Sequence, residues 1–300
     1  MKRLATAAAA TALLTLTACG GGGGGDGAAG GTGAAPAPAD AVTAEFSQAA
    51  ADLLPQAIKD SGTMTWTGAP KPPFYVDGAD GFTGLGPDLE AAMEQVLDID
   101  IEFQPTDGLN SVLLSLQSAR ADFFIGGVRA TPERQKDFDL VGWLTIGPSY
   151  LISSDRADEL KAPGDLCGNT VAYEEGSSME SFVTKLAEEC SAGGGETLTP
   201  LPLTADGARL AVDSGRADAF AANESDGRYI QLQREGRYEV IVQDTGSSDL
   251  TAGMALRGSG VGEAVTAAFQ ALIDQGVYEE LMTKWNLADS MVDEPVLNPA

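Results

Sequence analysis

The residues best suited to chemistry lie at three short places in the chain, and together they suit binding better than bond breaking. Glu175, Gly176, Ser177 and Ser178 form a polar turn between a strand-like run (170–173) and a helical run that begins at Met179. Ser178 is placed to cap that helix, and the backbone N–H groups of a helix start attract negative charge. Residues 126–129 (Gly-Gly-Val-Arg) and 221–224 (Ala-Ala-Asn-Glu) each close an apolar run that reads as a buried strand. The chain has no histidine. That removes the usual general base, the Ser/His/Asp arrangement and the common zinc ligand sets, so no catalytic residue, metal site or cofactor is expected.

These places must be positioned by elements, and the hydrophobic period says which. Residues 63–67 read as a strand. Residues 87–97 read as a helix, with Pro87 at its first position and Leu89, Ala92, Met93, Val96 and Leu97 on one face. Ile99, Ile101 and Phe103 alternate as in a strand. Leu109, Val112, Leu113 and Leu116 return to helical spacing, with Asp107 as the N-cap. Residues 121–125 are a short buried strand bounded by Gly126 and Gly127. Further on, Met179, Phe182, Val183, Leu186, Ala187 and Cys190 share one helical face. This alternation is that of an α/β fold.

The plan recurs. Ser118-Ala119-Arg120-Ala121-Asp122-Phe123-Phe124 matches Ser214-Gly215-Arg216-Ala217-Asp218-Ala219-Phe220 at five of seven positions, and each copy follows a helix and opens a strand. Two lobes of similar topology are therefore expected. Open parallel sheets bind ligands at the carboxyl ends of their strands, so residues 126–129 and 221–224 should face one cleft from opposite sides.

The N-terminus differs in kind. Met1, Lys2 and Arg3 precede an apolar stretch (4–17) too short to span a bilayer. It ends in Leu16-Thr17-Ala18-Cys19, which resembles a bacterial lipobox. Residues 1–18 are expected to be a signal peptide, with a lipid on Cys19 holding the protein at the outer face of the cell membrane. Residues 19–50 are expected to be a Gly/Ala/Pro-rich tether with too little apolar surface to fold. Cys167 and Cys190 then remain. Export allows a disulfide between them, and two buried free thiols are the alternative. The formal net charge of -26 argues against nucleic acid or anionic lipid as a partner.

A run of motifs in fixed order makes a family resemblance specific. Leu54-Pro55, Ile58-Lys59 and Gly62 are followed by Pro72-Pro73-Phe74 and by Gly81-Phe82-Thr83-Gly84-Leu85-Gly86-Pro87-Asp88-Leu89. Leu116-Gln117-Ser118, Asp122, Gly127, Thr131-Pro132-Glu133-Arg134 and Phe138 come next. Asp165-Leu166-Cys167-Gly168 with Gly176-Ser177-Ser178, then Gly276-Val277-Tyr278 and Lys284-Trp285, complete the series. From about residue 52 to 300 the chain resembles the family-3 (polar amino-acid) extracellular solute-binding proteins of ABC importers. Its ending, Glu294-Pro295-Val296-Leu297-Asn298, resembles an actinobacterial subgroup.

The resemblance implies a periplasmic-binding-protein type II fold, two α/β lobes joined by a two-segment hinge. Lobe I would comprise residues 51–150 and 251–300, and lobe II residues 151–250, with hinge crossings near 148–153 and 249–254. It implies a binding protein, expected to be monomeric, that passes a small polar ligand (an amino acid or related carboxylate) to permease subunits. An exported dehydratase of cyclic amino-acid precursors on the same fold is the alternative, with Glu175 or Glu224 as its acid. A ligand-sensing module is another.

Site residues follow position by position. Arg134 matches the arginine that grips the ligand carboxylate, and a planar guanidinium suits that task because it can donate two parallel hydrogen bonds. Gly127 and Arg129 match the loop that binds the same group, and Ser177 and Ser178 the lobe II residues that close over it. Leu109 matches a wall position. Phe74 and Tyr75 are either wall or core. Four features depart from the family pattern. Asn223 stands where an aspartate usually holds the ligand ammonium, Gly68 where an acidic residue is common, and Lys71 where an aromatic ring usually stacks. Arg129 replaces a small hydroxyl residue as well. The resemblance thus implies a cleft that favours a more anionic ligand, unless Lys71 and Arg129 face solvent or pair with Glu175, Glu224 or Asp226.

Overall fold

The computed structural model describes residues 42–79, 81–194, 196–243 and 250–300. The expected signal peptide, Cys19, most of the tether and residue 249 of the second hinge crossing lie outside them. The last part of the expected tether belongs to the folded body. Ala44 is buried, and its N–H donates to Gln95 Oε1 at 3.1 Å. Val42 and Ala44 supply the apolar contact that a Gly/Ala tract does not.

The order begins with α1 (Gln48–Asp52), α2 (Gln56–Ser61), β1 (Thr63–Gly68) and a small hairpin of β2 (Val76–Gly78) and β3 (Gly81–Thr83). It continues with α3 (Leu85–Leu97), β4 (Asp100–Pro105), α4 (Gly108–Gln117), β5 (Phe123–Arg129) and β6 (Phe138–Thr145). Then come β7 (Pro148–Ser153), β8 (Thr170–Glu174), α5 (Met179–Ala192), β9 (Thr199–Leu203) and α6 (Ala205–Asp213). β10 (Ala219–Asn223), α7 (Glu224–Gln233) and β11 (Tyr238–Val242) precede β12 (Leu250–Leu256), α8 (Val261–Asp274), α9 (Val277–Lys284) and β13 (Val296–Leu297).

Two mixed sheets organise these elements, ordered β13-β6-β12-β5-β1-β4 and β11-β7-β10-β8-β9. We call them the sheets of lobe I and lobe II. The chain leaves the first sheet after Thr145 and enters the second at Pro148. Residues 148–153, expected to be a hinge segment, are instead a lobe II strand. Every one of them pairs with β10 or β11, and five of the six are buried. The crossing itself is Ile146 and Gly147. The chain returns between Val242 and Leu250.

Each sheet buries both faces, as α/β sheets do. In lobe I, Trp66, Phe123 and Trp143 pack under α3, α8 and α9, while Phe124, Leu140 and Met254 meet Val112 and Leu116 of α4 on the other face. In lobe II, Tyr150, Val171 and Ala219 meet α5, and Leu151, Ala172 and Phe220 meet α6. The helix expected to start at Pro87 starts at Leu85. Proline remains tolerable there because first-turn N–H groups have no intrahelical partner.

The repeated heptapeptide has one structural role, performed twice. Asp122 Oδ2 accepts from Thr65 N, and Asp218 Oδ2 from Thr170 N, each at 2.8 Å. In return Asp122 N donates to Thr65 O, and Asp218 N to Thr170 O, again at 2.8 Å. Ala119 (φ 51) and Gly215 (φ 68) make the same left-handed turn out of α4 and α6. The motif therefore splices a helix to a central strand and ties that strand to its parallel neighbour.

Two further devices close the body. Cys167 and Cys190 form a disulfide with Cα atoms 5.4 Å apart, which decides against free thiols. The terminal motif adds β13 to β6 at the sheet edge. Asn298 then accepts from Leu140 N at 3.0 Å and donates to Asp139 Oδ1 at 3.0 Å.

Candidate ligand-binding cleft

Residues at or just beyond the carboxyl ends of β1, β5, β8 and β10 line one cleft of about 460 Å³. Lobe I contributes Gly68, Ala69 and Lys71 beyond β1, Phe74 and Tyr75, the first turns of α4 at Gly108, Leu109 and Val112, and Gly126 to Arg129 of β5. Lobe II contributes Ser178, Met179 and Phe182 of α5, with Asn223 and Ser225 beyond β10. Lys71, Phe74, Tyr75, Leu109, Gly127, Arg129, Ser178 and Asn223 are thus brought together. Arg134 and Ser177 stand off the lining.

Phe74 and Tyr75 are held there by backbone. Leu85 N donates to Pro73 O at 3.0 Å and Gly86 N to Phe74 O at 2.8 Å. Gly86 is required by this approach, since a Cβ on it would meet Tyr75 Cζ at 2.4 Å. The Tyr75 ring stacks on Phe103 with centroids 3.8 Å apart, and its hydroxyl donates to Glu90 Oε1 at 2.6 Å. Burial raises the pKa of both the phenol and the Glu90 carboxyl, with the hydrogen bond to Tyr75 opposing the shift at Glu90. Wall and core are one role here, because both rings are buried and both face the cleft.

β5 does not end at Ile125, before the two glycines, as its composition suggests. It runs on to Arg129 because β12 pairs with its far part, Ala252 opposite Val128 and Thr251 opposite Arg129. The register shifts between Ala252 and Met254, so β5 bulges at the glycines. A Cβ on Gly126 would meet the Phe124 ring at 2.2 Å, and one on Gly127 the Thr251 methyl at 2.5 Å. Packing inside the protein thus explains both glycines without a ligand.

Arg134 opens a single 3₁₀ turn (Arg134–Lys136), and its N–H donates to Thr131 Oγ1 at 3.3 Å. Its Nη1 donates to the Arg129 carbonyl at 2.8 Å. The guanidinium therefore braces the backbone that carries Arg129. Ser177 keeps its hydroxyl buried without a hydrogen-bond partner among the described residues.

Ser178 occupies the N-cap position, yet its hydroxyl makes no capping bond. Its backbone is already helical (φ -61, ψ -22), whereas a capping side chain needs an extended residue. The Glu180 carboxylate closes the turn instead, accepting from Gly176 N at 3.3 Å. Asp107 likewise makes no side-chain cap for α4.

Lys71 is paired, with Nζ 3.0 Å from Asp226 Oδ2. The same carboxylate oxygen accepts from Asn223 Nδ2 at 3.5 Å. Glu224 is buried and turned to Arg228, whose Nε lies 3.4 Å from Glu224 Oε1. Burial raises the Glu224 pKa, and the Arg228 charge opposes the shift. Glu175 is exposed and off the lining. Among the described lining residues the charged side chains are Lys71 and Arg129, and none is a carboxylate.

Sequence reasoning missed Ile146 and Gly147 at the crossing, Thr251 opposite β5, and Ser225. Phe182 and Phe124 were read as core, and both also reach the cleft. A strand pair flanked by Gly147 could have pointed to the crossing. Thr251 falls in the expected crossing 249–254, but only its pairing with Arg129 brings it to the cleft.

The sequence model for bacterial extracellular solute-binding proteins, family 3, matches residues 64–288. The arginine-binding protein ArgT of Corynebacterium glutamicum is 32% identical over 251 residues, 82% of this chain and 81% of that protein. Its actinobacterial source agrees with the subgroup suggested by residues 294–298. The arginine-binding extracellular protein ArtP of Bacillus subtilis is 24% identical over 225 residues, 73% of this chain and 84% of that protein. Among solved structures, an ancestral cationic amino acid solute binding protein (AncCDT-1) superposes with a TM-score of 0.66 at 24% identity, over 77% of this chain and 98% of that one. It shares the type II periplasmic-binding-protein fold. With a family pattern spanning both sheets and a cleft lined from both, the chain belongs to the bacterial extracellular solute-binding proteins, family 3.

Proposed function

We propose that the protein is the lipid-anchored receptor of an ABC importer and captures an amino-acid-related carboxylate that is neutral or anionic overall. The observation that carries the charge assignment is the lining: Lys71 and Arg129 face the cleft, Asn223 is neutral, and no described lining residue is a carboxylate. Two relatives are named for arginine. Lys71 is paired with Asp226, so a cationic ligand in this cleft would have to displace it or lie beside like charges, and either is costly. The volume suits a ligand of amino-acid size, at the small end of ordinary sites of about 300–1,000 Å³. Arg129 holds the carboxylate end with Ser178 opposite, and Arg134 fixes the Arg129 backbone. The lobes close on the ligand about Ile146 and Gly147, and the permease reads the closed form. Lipid on Cys19 keeps the monomer at the outer membrane face, as extracellular family membership favours.

A dehydratase needs an acid in the cleft. Glu224 is spent on Arg228 and Glu175 lies outside, which favours binding over turnover.

Thermal unfolding against amino acids, dicarboxylates and N-substituted amino acids tests this reading. A ligand at 1,000 times its Kd adds about 4 kcal/mol, a rise of roughly 10 °C for a body of this size. Neutral or acidic compounds are expected to give that rise. A rise confined to arginine and lysine would discard the charge assignment, and no rise with any compound would discard the ligand class.

A further inference from the structure

Asp226 stands in the first turn of α7, three residues beyond Asn223, and two side chains that line the cleft both reach its Oδ2. One of these, Lys71, comes from the opposite lobe. Its ammonium crosses the cleft to a carboxylate that would otherwise be the natural seat for a cationic group of a ligand. Glu224, two residues earlier, is buried against Arg228 and offers no substitute.

We propose that Lys71 is a specificity-determining residue, a tethered counter-ion that occupies Asp226 and so excludes cationic ligands from the cleft. This rests on the binding role proposed above. A lysine fixed in the same molecule competes at an effective concentration in the millimolar range, so a free amino acid at micromolar concentration displaces it only with other contacts to compensate. Displacement also leaves the lysine beside the newly bound cation, a like-charge contact that costs further free energy. The Asn223 amide reinforces the arrangement, since it donates to the same oxygen and carries no charge to receive an ammonium.

The pair does little for stability. Lys71 has a side chain 57% exposed and Asp226 27%, and exposed pairs of this kind contribute between nothing and about 1 kcal/mol. Removing Lys71 should therefore change selectivity while leaving the fold alone.

The experiment is calorimetric titration of arginine and of lysine into the wild-type protein, Lys71→Ala, and the double variant Lys71→Ala with Asp226→Asn. Lys71→Ala is expected to bind arginine or lysine about 10- to 100-fold more tightly than wild type, the range of one charge-assisted hydrogen bond. The double variant is expected to lose that gain. The unliganded unfolding midpoint should stay within about 3 °C of wild type in the single variant. Tight binding of arginine or lysine by the wild-type protein would overturn the proposal, as would no gain in Lys71→Ala or a gain that survives in the double variant. Failure of the binding role itself reads differently: wild type then responds to no amino acid or carboxylate at all, while the comparison of cation affinities among the variants still decides the role of Lys71.

Discussion

Arg129→Thr is expected to weaken binding of the preferred carboxylate by about 10- to 100-fold, the loss that follows when a charged hydrogen-bonding partner is removed from an anion. The position isolates the side chain from its scaffold. The Arg129 backbone is held on one side by β12, where Thr251 is its partner, and on the other by the Arg134 guanidinium at 2.8 Å. A change at Cβ and beyond therefore leaves the bulge at Gly126 and Gly127 in place, and the far-UV circular dichroism of the variant should match wild type. Arg129→Lys should fall between the two, because an ammonium keeps the charge and loses the planar fork. Titration calorimetry with the compound giving the largest thermal shift measures all three. Affinity within twofold of wild type in Arg129→Thr would place the arginine outside the ligand contacts.

The expectations that held were those set by local period. β1, β4, α4 and α5 lie within a residue or two of where apolar spacing puts them, because α4 and α5 each bury an apolar stripe against one sheet and β1 and β4 pair within one. The repeat was legible for a deeper reason. An aspartate in that turn ties a strand to its neighbour through both backbone and side chain, so each lobe needs the same residue at the same step. What stayed hidden depends on partners distant in sequence. The sequence offers Asp226, 155 positions away, only as one possible partner of Lys71 beside Glu175, Glu224 and solvent, and the packing of the two lobes selects it. Residues 148–153 read as a hinge until β10 and β11 arrive on either side to make them a buried interior strand. Ser178 has the composition of a cap and the backbone of a helix, and only φ and ψ distinguish them.

Loss of the Cys167–Cys190 bridge is expected to cost about 3 kcal/mol and to lower the unfolding midpoint by roughly 6–12 °C, from the chain entropy regained by the loop it closes. The bridge spans 23 positions, from the residue after the 3₁₀ turn Pro163–Leu166 to the last full turns of α5. Its effect on binding should be far smaller. The cleft uses the opposite end of α5, at Ser178, Met179 and Phe182, and that end is fixed by its own burial. Met179, Val183 and Leu186 continue the same face into the lobe II core and hold the helix whether or not Cys190 is bonded. Cys167→Ser with Cys190→Ser, compared by thermal unfolding and by ligand titration at 25 °C, separates the two quantities. A midpoint loss with affinity within about threefold of wild type means that the disulfide limits unfolding of lobe II without shaping the site. A loss of affinity as large as the loss of stability would mean that α5 shifts as a unit when released, and the buried face of α5 would then be too weak to position Ser178 alone.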